Sequence, residues 1–322
     1  MKFQGIKNIN IFSKLSYPII TAYEFEFLKT EEIIQALLKP SSIYFIVQRP
    51  LIYISNLIVE NGSLTFQITD DSKNDPLVCS IELNENNFLC RETDKEVLVE
   101  VQFYKKPADT VHPFNDVAAI KFFTLGNEFI VWYTPQKIIY EHFSGALKAN
   151  IKGNIQNYID YHVHYIGQAF SRDIWERLTG HEKMQSILTI ENIKNNKALK
   201  NSFEISLIIM EVSGYDELNI MPYYEGMVEK GTEPILFDLE SDDDFVEFNS
   251  PILATNAFQL TNEIEAKLIN QLKPKYNKIF FENYPEIKSG TRSVGYSSSS
   301  LILEMLPALL STDTTIVMPR SA

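Results

Sequence analysis

The sequence predicts an α+β protein in which a mostly antiparallel β domain, residues 1–150, precedes a segment that mixes strands with helices. Three observations predict this. Seven runs rich in Ile, Val, Phe and Tyr lie between Ser42 and Tyr133: Ser42–Gln48, Leu51–Val59, Ser63–Thr69, Leu77–Leu83, Val97–Tyr104, Val117–Leu125 and Phe129–Tyr133. Turn signals separate several of them, among them Asn61-Gly62, the Asp70–Pro76 stretch and Gly126-Asn127. Beyond about residue 150 the apolar spacing changes from strand-like to partly helical.

In the first half only Thr30–Leu38, ended by Pro40, reads as a helix. In the second half, Tyr161–Gly167 predicts a strand and Asp173–Thr189 a helix. That helix carries Ile174, Leu178, Met184, Ile187 and Leu188 at helical spacing, with Gly180 weakening its middle. Phe203–Val212 alternates as a strand, with Phe203, Ile205, Leu207 and Ile209 on one face. An acidic insertion at about 213–260 follows, then a helix from Glu263 to Leu272 stopped by Pro274. The tail, 291–322, contains the serine run Ser297–Ser300 and an apolar segment, Leu301–Leu310, to which the pattern assigns no place.

With 322 residues, 45 % of them hydrophobic, the chain has material for a sizeable core. Its composition excludes disordered and fibrous classes. No run approaches the roughly 18 apolar residues of a membrane span, and the N-terminus lacks a secretory h-region. These features predict a soluble, cytoplasmic protein with no membrane partner; a homo-oligomer is compatible with them. Cys79 and Cys90 make no disulfide framework and no C-x-x-C spacing, so they read as buried free thiols. The net charge of −13 argues at first against a nucleic-acid partner. Residues 201–262, however, hold 13 carboxylates and a single lysine, Lys230, which leaves the remainder near neutral. Lys and Arg cluster elsewhere, at Lys152, Arg172, Arg177, Lys183, Lys194, Lys197 and Lys200, and at Lys267, Lys273, Lys275 and Lys278.

Two separated blocks carry the chemistry. The first is Tyr165-Ile166-Gly167-Gln168-Ala169, followed by Arg177-Leu178 and His181; the second is Glu265-Ala266-Lys267-Leu268-Ile269, followed by Leu272 to Asn277. Arg177 and His181 are four apart and would share a helix face. A guanidinium beside an imidazole suits a phosphodiester. Asn277 follows Glu265 by twelve residues. In order and internal spacing the blocks resemble those of GIY-YIG nucleases, over roughly residues 155–290. The resemblance implies a small antiparallel sheet flanked by helices, and Mg²⁺- or Mn²⁺-dependent hydrolysis of phosphodiester bonds in double-stranded DNA. It assigns metal binding to Glu265, water activation to Tyr165, phosphate and charge stabilisation to Arg177 and His181, and orientation of the site to Asn277. The GIY tripeptide, which the family places on a strand before YIG, is not evident; Tyr133, Tyr158 and Tyr161 are the candidates for its tyrosine.

Each of these residues also has a plainer reading. Glu265 lies three after Asn262, the spacing of a capping box, and Arg177 is spaced to pair with Asp173. His162 and His164 alternate on one strand face without a third metal ligand at suitable spacing. Asp242–Asp244 reads as a solvated loop, a mimic of DNA charge or a second cation site. Trp132 and Trp175 read as core anchors. For the whole chain, the alternative to an enzyme is a catalytically inactive module that binds nucleic acid or protein.

Overall fold

The computed structural model describes residues 8–21, 24–25, 28–71, 75–86, 96–104, 111–169, 174–179, 185–187, 189–191, 202–215, 257–281, 298–304 and 306–317. The protein is mixed α+β, mostly strand with few helices, and is built on two large sheets. Among the described residues the strands are β1 (Asn8–Leu15), β2 (Ile20–Thr21), β3 (Ile43–Pro50), β4 (Ile52–Glu60), β5 (Ser63–Asp70), β6 (Leu77–Glu82), β7 (Val97–Phe103), β8 (Val117–Thr124), β9 (Phe129–Tyr133), β10 (Ala149–Lys152), β11 (Asp160–Gln168), β12 (Phe203–Tyr215), β13 (Ser298–Glu304), β14 (Leu309–Ser311) and β15 (Ile316–Val317). Among the described residues the helices include α1 (Glu32–Leu38), α2 (Pro135–Ser144), α3 (Ile174–Thr179) and α4 (Ala257–Leu272).

The first sheet has the order β13-β1-β12-β3-β11-β14-β15, with β2 beside β12. Its strands come from the β-rich stretch 1–150, from 151–290, the stretch expected from the resemblance to form a GIY-YIG-like domain, and from the tail 291–322. The apolar tail of unassigned place supplies β13, parallel to β1, and β14, parallel to β11. The second sheet is antiparallel throughout, in the order β10-β6-β5-β4-β8-β7, with β9 also on β8. Only Leu51 separates β3 from β4, so one extended run leaves the first sheet and enters the second. The Asn61-Gly62 turn closes β4 onto β5 with both residues at positive φ (51° and 76°), as an Asn-Gly hairpin requires.

Burial follows from this layering. β5 and β6 bury alternate residues (Leu64, Phe66 and Ile68; Leu77, Cys79 and Ile81), because one face of the second sheet meets the core. β3 is buried continuously from Ile43 to Arg49, because both of its faces are covered. Ile43, Phe45 and Val47 join a first cluster with the second sheet and α4; Tyr44 and Ile46 join a second with α3 and the α1 region. Trp175 is buried there, stacked on Phe25 at 4.6 Å. Cys79 is a buried free thiol whose burial pushes its pKa up to about 12; Cys90 lies outside the described residues.

Helix α2 has no counterpart in the sequence expectation, although its signals are present. Thr134 accepts from the Lys137 N–H at 3.4 Å, Pro135 starts the helix, and Gly145 ends it in the left-handed region at φ 73°. Helix α4 begins at Ala257 rather than at Glu263. Asn262 and Glu265 therefore stand inside the helix, and the capping-box reading of Glu265 falls. No helix among the described residues is long and apolar enough to cross a membrane.

Candidate functional site

The two sequence blocks meet along one edge of β11. There β14 pairs only with Asp160 to His162, which leaves the rest of that edge open. The loop after α4 closes it. The Tyr276 N–H donates to the His164 carbonyl at 3.0 Å, and Asn277 grips the next residues. Ile166 N–H donates to Asn277 Oδ1 at 3.0 Å, while Asn277 Nδ2 donates to the Ile166 carbonyl at 2.8 Å. A buried primary amide thus replaces a missing strand partner, at the middle residue of Tyr165-Ile166-Gly167.

On the other edge β11 pairs antiparallel with β3, in the register Ile166↔Phe45, Gly167↔Tyr44 and Gln168↔Ile43. The strand beside Tyr165-Ile166-Gly167 is therefore β3. Tyr133 lies on β9 in the second sheet, Tyr158 in a 3-10 turn, and Tyr161 on β11 itself. None of them stands on a strand beside Tyr165. Tyr44 does, preceded by Ser42 and Ile43, and its ring centroid is 6.1 Å from that of Tyr165. Ile43-Tyr44 matches two of the three letters of the tripeptide that the resemblance calls for, within a strand the sequence does predict. The match was hidden by more than a hundred intervening residues, which build most of the second sheet. Gly167 has a steric reason here. A Cβ at that position would lie 2.6 Å from both Cζ and Oη of Tyr44 and 2.8 Å from Tyr165 Cε1.

A register irregularity between Val163 and Tyr165 changes the alternation of β11. Val163 and Ile166 face the first cluster, whereas Tyr165, half-buried, packs against the second. α3, which contains Arg177, buries Ile174, Trp175 and Leu178 in the second cluster. α4 buries Leu260, Ile264, Leu268, Ile269 and Leu272 in the first, with Glu265 half-buried on it. The two helices therefore pack on opposite faces of the first sheet. Tyr165 and Asn277 are brought together directly through Ile166, while Glu265 belongs to the helix beneath them. The Arg177 side chain, His181 and Asp242–Asp244 lie outside the described residues.

Sequence reasoning named His162, His164 and Lys275 but not Glu191, nor that these groups gather beside this junction. Glu191 Oε1 accepts from Lys275 Nζ and from Tyr276 Oη, each at 2.6 Å. These donors hold its carboxyl down to about 2, and the same bond pushes Tyr276 up to about 12, after burial as the larger cause. His164 is 2 % exposed, its Nε2 is 2.9 Å from Gln48 Oε1, and its ring is 4.9 Å from that of His162. Burial, then the neighbouring His162, lowers His164 to about 4; Lys275 acts in the same direction, and Glu191 and Asp313 oppose it. Among the described residues no three His, Cys, Asp or Glu side chains are grouped to hold a metal.

A pH dependence follows. The unfolded imidazole titrates near 6.5 and the folded one near 4, so between those values the unfolded chain binds more protons. The stability that His164 contributes is intact above pH 6.5 and is lost as the pH falls toward 4. The total is about 3 kcal/mol, at roughly 1.4 kcal/mol per pH unit. Urea unfolding of wild type and His164→Gln across pH 4–7 checks this, the variant showing the shallower slope. Comparison of the whole chain with protein-family models, curated proteins and solved structures finds no match.

Proposed function

We propose that the protein is a GIY-YIG-like endonuclease that hydrolyses phosphodiester bonds in DNA with Mg²⁺ or Mn²⁺. The observation that carries this reading is the double hydrogen bond between Asn277 and Ile166, which joins the two blocks of the resemblance. The antiparallel pairing of Tyr44 with Gly167 supports it, because it puts a tyrosine-bearing strand next to the YIG strand.

In this reading Tyr165, with Tyr44 beside it, contributes to activation of the attacking water. Arg177 and His181 bind the phosphate and stabilise its developing charge. Asn277 fixes the backbone that carries Tyr165. Glu265 would hold the metal. Mg²⁺ needs only one or two protein carboxylates when waters and phosphate oxygens complete its octahedron; Glu265 stands half-buried on α4, which packs on the sheet face opposite to the one that Tyr165 meets. The ion supplies polarisation of the scissile phosphate and stabilisation of the leaving oxygen.

A second reading, a catalytically silent module that binds nucleic acid or protein, is favoured by the packing of α3 and α4 on opposite sheet faces. Incubation of the purified protein with supercoiled plasmid and Mg²⁺ or Mn²⁺ separates the two. The nuclease reading expects nicked or linear product from wild type, and a loss of about 100-fold or more in Glu265→Ala and Tyr165→Phe. Equal products from wild type and Glu265→Ala, or none from either, would select the silent module.

A further inference from the structure

The loop after α4, residues 273–281, is fastened at three places. At its start the Lys273 N–H donates to the Ile269 carbonyl at 2.8 Å, with Lys273 at φ 49°. In its middle Tyr276 and Asn277 are bonded to β11. At its end Asn270 Nδ2 donates to the Phe280 carbonyl at 3.0 Å and to the Phe281 carbonyl. Phe281 sits at φ 44°, a region that a bulky residue rarely adopts, and packs against the first cluster.

A loop held this firmly has the means to bury its apolar side chains, yet it turns two of them outward. Ile279 is 65 % exposed and Phe280 is 38 % exposed. Exposed lysines precede the pair: Lys278 directly, Lys273 and Lys275 earlier in the loop. Lys275 is matched by Glu191 at 2.6 Å, whereas among the described residues Lys273 and Lys278 have no carboxylate partner. In a chain of net charge −13 this loop is locally positive and locally apolar at once. The lysines suit phosphates, and the exposed ring suits another flat apolar face. A single nucleic-acid strand presents both, an anionic backbone and unstacked bases. A duplex presents the phosphates but keeps its base faces stacked inside.

We propose that loop 273–281 is a contact site for single-stranded DNA, with Lys273 and Lys278 on its phosphates and Phe280 stacked on a base beside Ile279. The site rests on the nuclease reading for the choice of DNA, but its binding is measured without cleavage. Fluorescence anisotropy in EDTA, with a labelled oligothymidylate of about 20 nucleotides and a duplex of the same length, tests it. The single strand is expected to bind more tightly than the duplex. Phe280→Ala weakens the strand by about 5-fold or more and leaves the duplex little changed. Lys273→Gln/Lys278→Gln lowers the salt slope of strand binding by about 0.7 for each lysine removed. All three side chains are exposed, so the variants keep the fold, which thermal melts check. No binding of the strand, a duplex bound as tightly, or a Phe280→Ala protein that binds the strand like wild type overturns the proposal. The nuclease reading fails separately, on plasmid cleavage. A protein that nicks plasmid but binds the strand independently of Phe280 keeps that reading and loses this site.

Discussion

Asn277→Leu loses about 2–5 kcal/mol of stability, because two buried backbone groups of Ile166 lose their partners at once. The side chain is 9 % exposed, so water does not readily replace the amide. Asn277→Asp is expected to be nearly as damaging. It keeps an acceptor for the Ile166 N–H but turns a carboxylate oxygen toward the Ile166 carbonyl, where Nδ2 donated at 2.8 Å. Urea unfolding measures the loss, and amide hydrogen exchange locates it: Ile166 should exchange faster in both variants. An Asn277→Leu protein as stable as wild type would remove the junction between the two blocks as an energetic feature.

The second large effect lies in the layer between the sheets. Arg49 and Glu204 have side chains 2 % and 8 % exposed, with Nε donating to Glu204 Oε1 at 2.7 Å. Arg49 Nη1 donates to the Tyr158 carbonyl at 3.2 Å, and Gln136 Nε2 donates to the same Glu204 oxygen at 2.9 Å. Arg49→Met leaves Glu204 buried with only the Gln136 amide, near a second carboxyl, the half-buried Glu24, that opposes its ionisation. The expected cost is about 3–5 kcal/mol. Arg49→Met combined with Glu204→Leu should recover about half of it, since no charge is then stranded. The Tyr158 carbonyl and the Gln136 amide still lose partners, so a residue of about 1–3 kcal/mol remains. Chemical denaturation of the three proteins reads both numbers. A double variant no better than Arg49→Met would mean that the pair matters for its packing rather than its charge.

Those two sites show which parts of the structure local sequence conveys. The strands Ser42–Gln48, Ser63–Thr69 and Phe203–Val212 were legible because runs of β-branched and aromatic residues are written into each segment, with alternating burial in Ser63–Thr69 and burial on both faces in the other two. The Asn61-Gly62 hairpin was legible because its backbone demands positive φ. Helix α2 could have been read from Thr134, Pro135 and Gly145, but its apolar face is short and its charged Lys137 points inward. The assignment of β3 to the YIG strand was not legible. Its partner lies more than a hundred residues away, and a pairing register is fixed by the sheet, not by either strand alone. The tail was opaque for the same reason: β13 and β14 are short runs whose parallel partners, β1 and β11, give them their identity.

By itself the sequence determined the α+β class, most strand positions, the acidic insertion and the two blocks with their internal spacing. Each of these is encoded in periodicity, turn chemistry or residue type within a few neighbours. Only the tertiary structure decided that strands from all three stretches share one sheet, that Tyr44 stands beside Tyr165, and that Asn277 closes on Ile166. It alone gathered His164, Glu191 and Lys275 beside that junction. These are contacts between residues distant in sequence, held by burial and by the need to satisfy buried polar groups, and no local pattern records which distant partner will satisfy them.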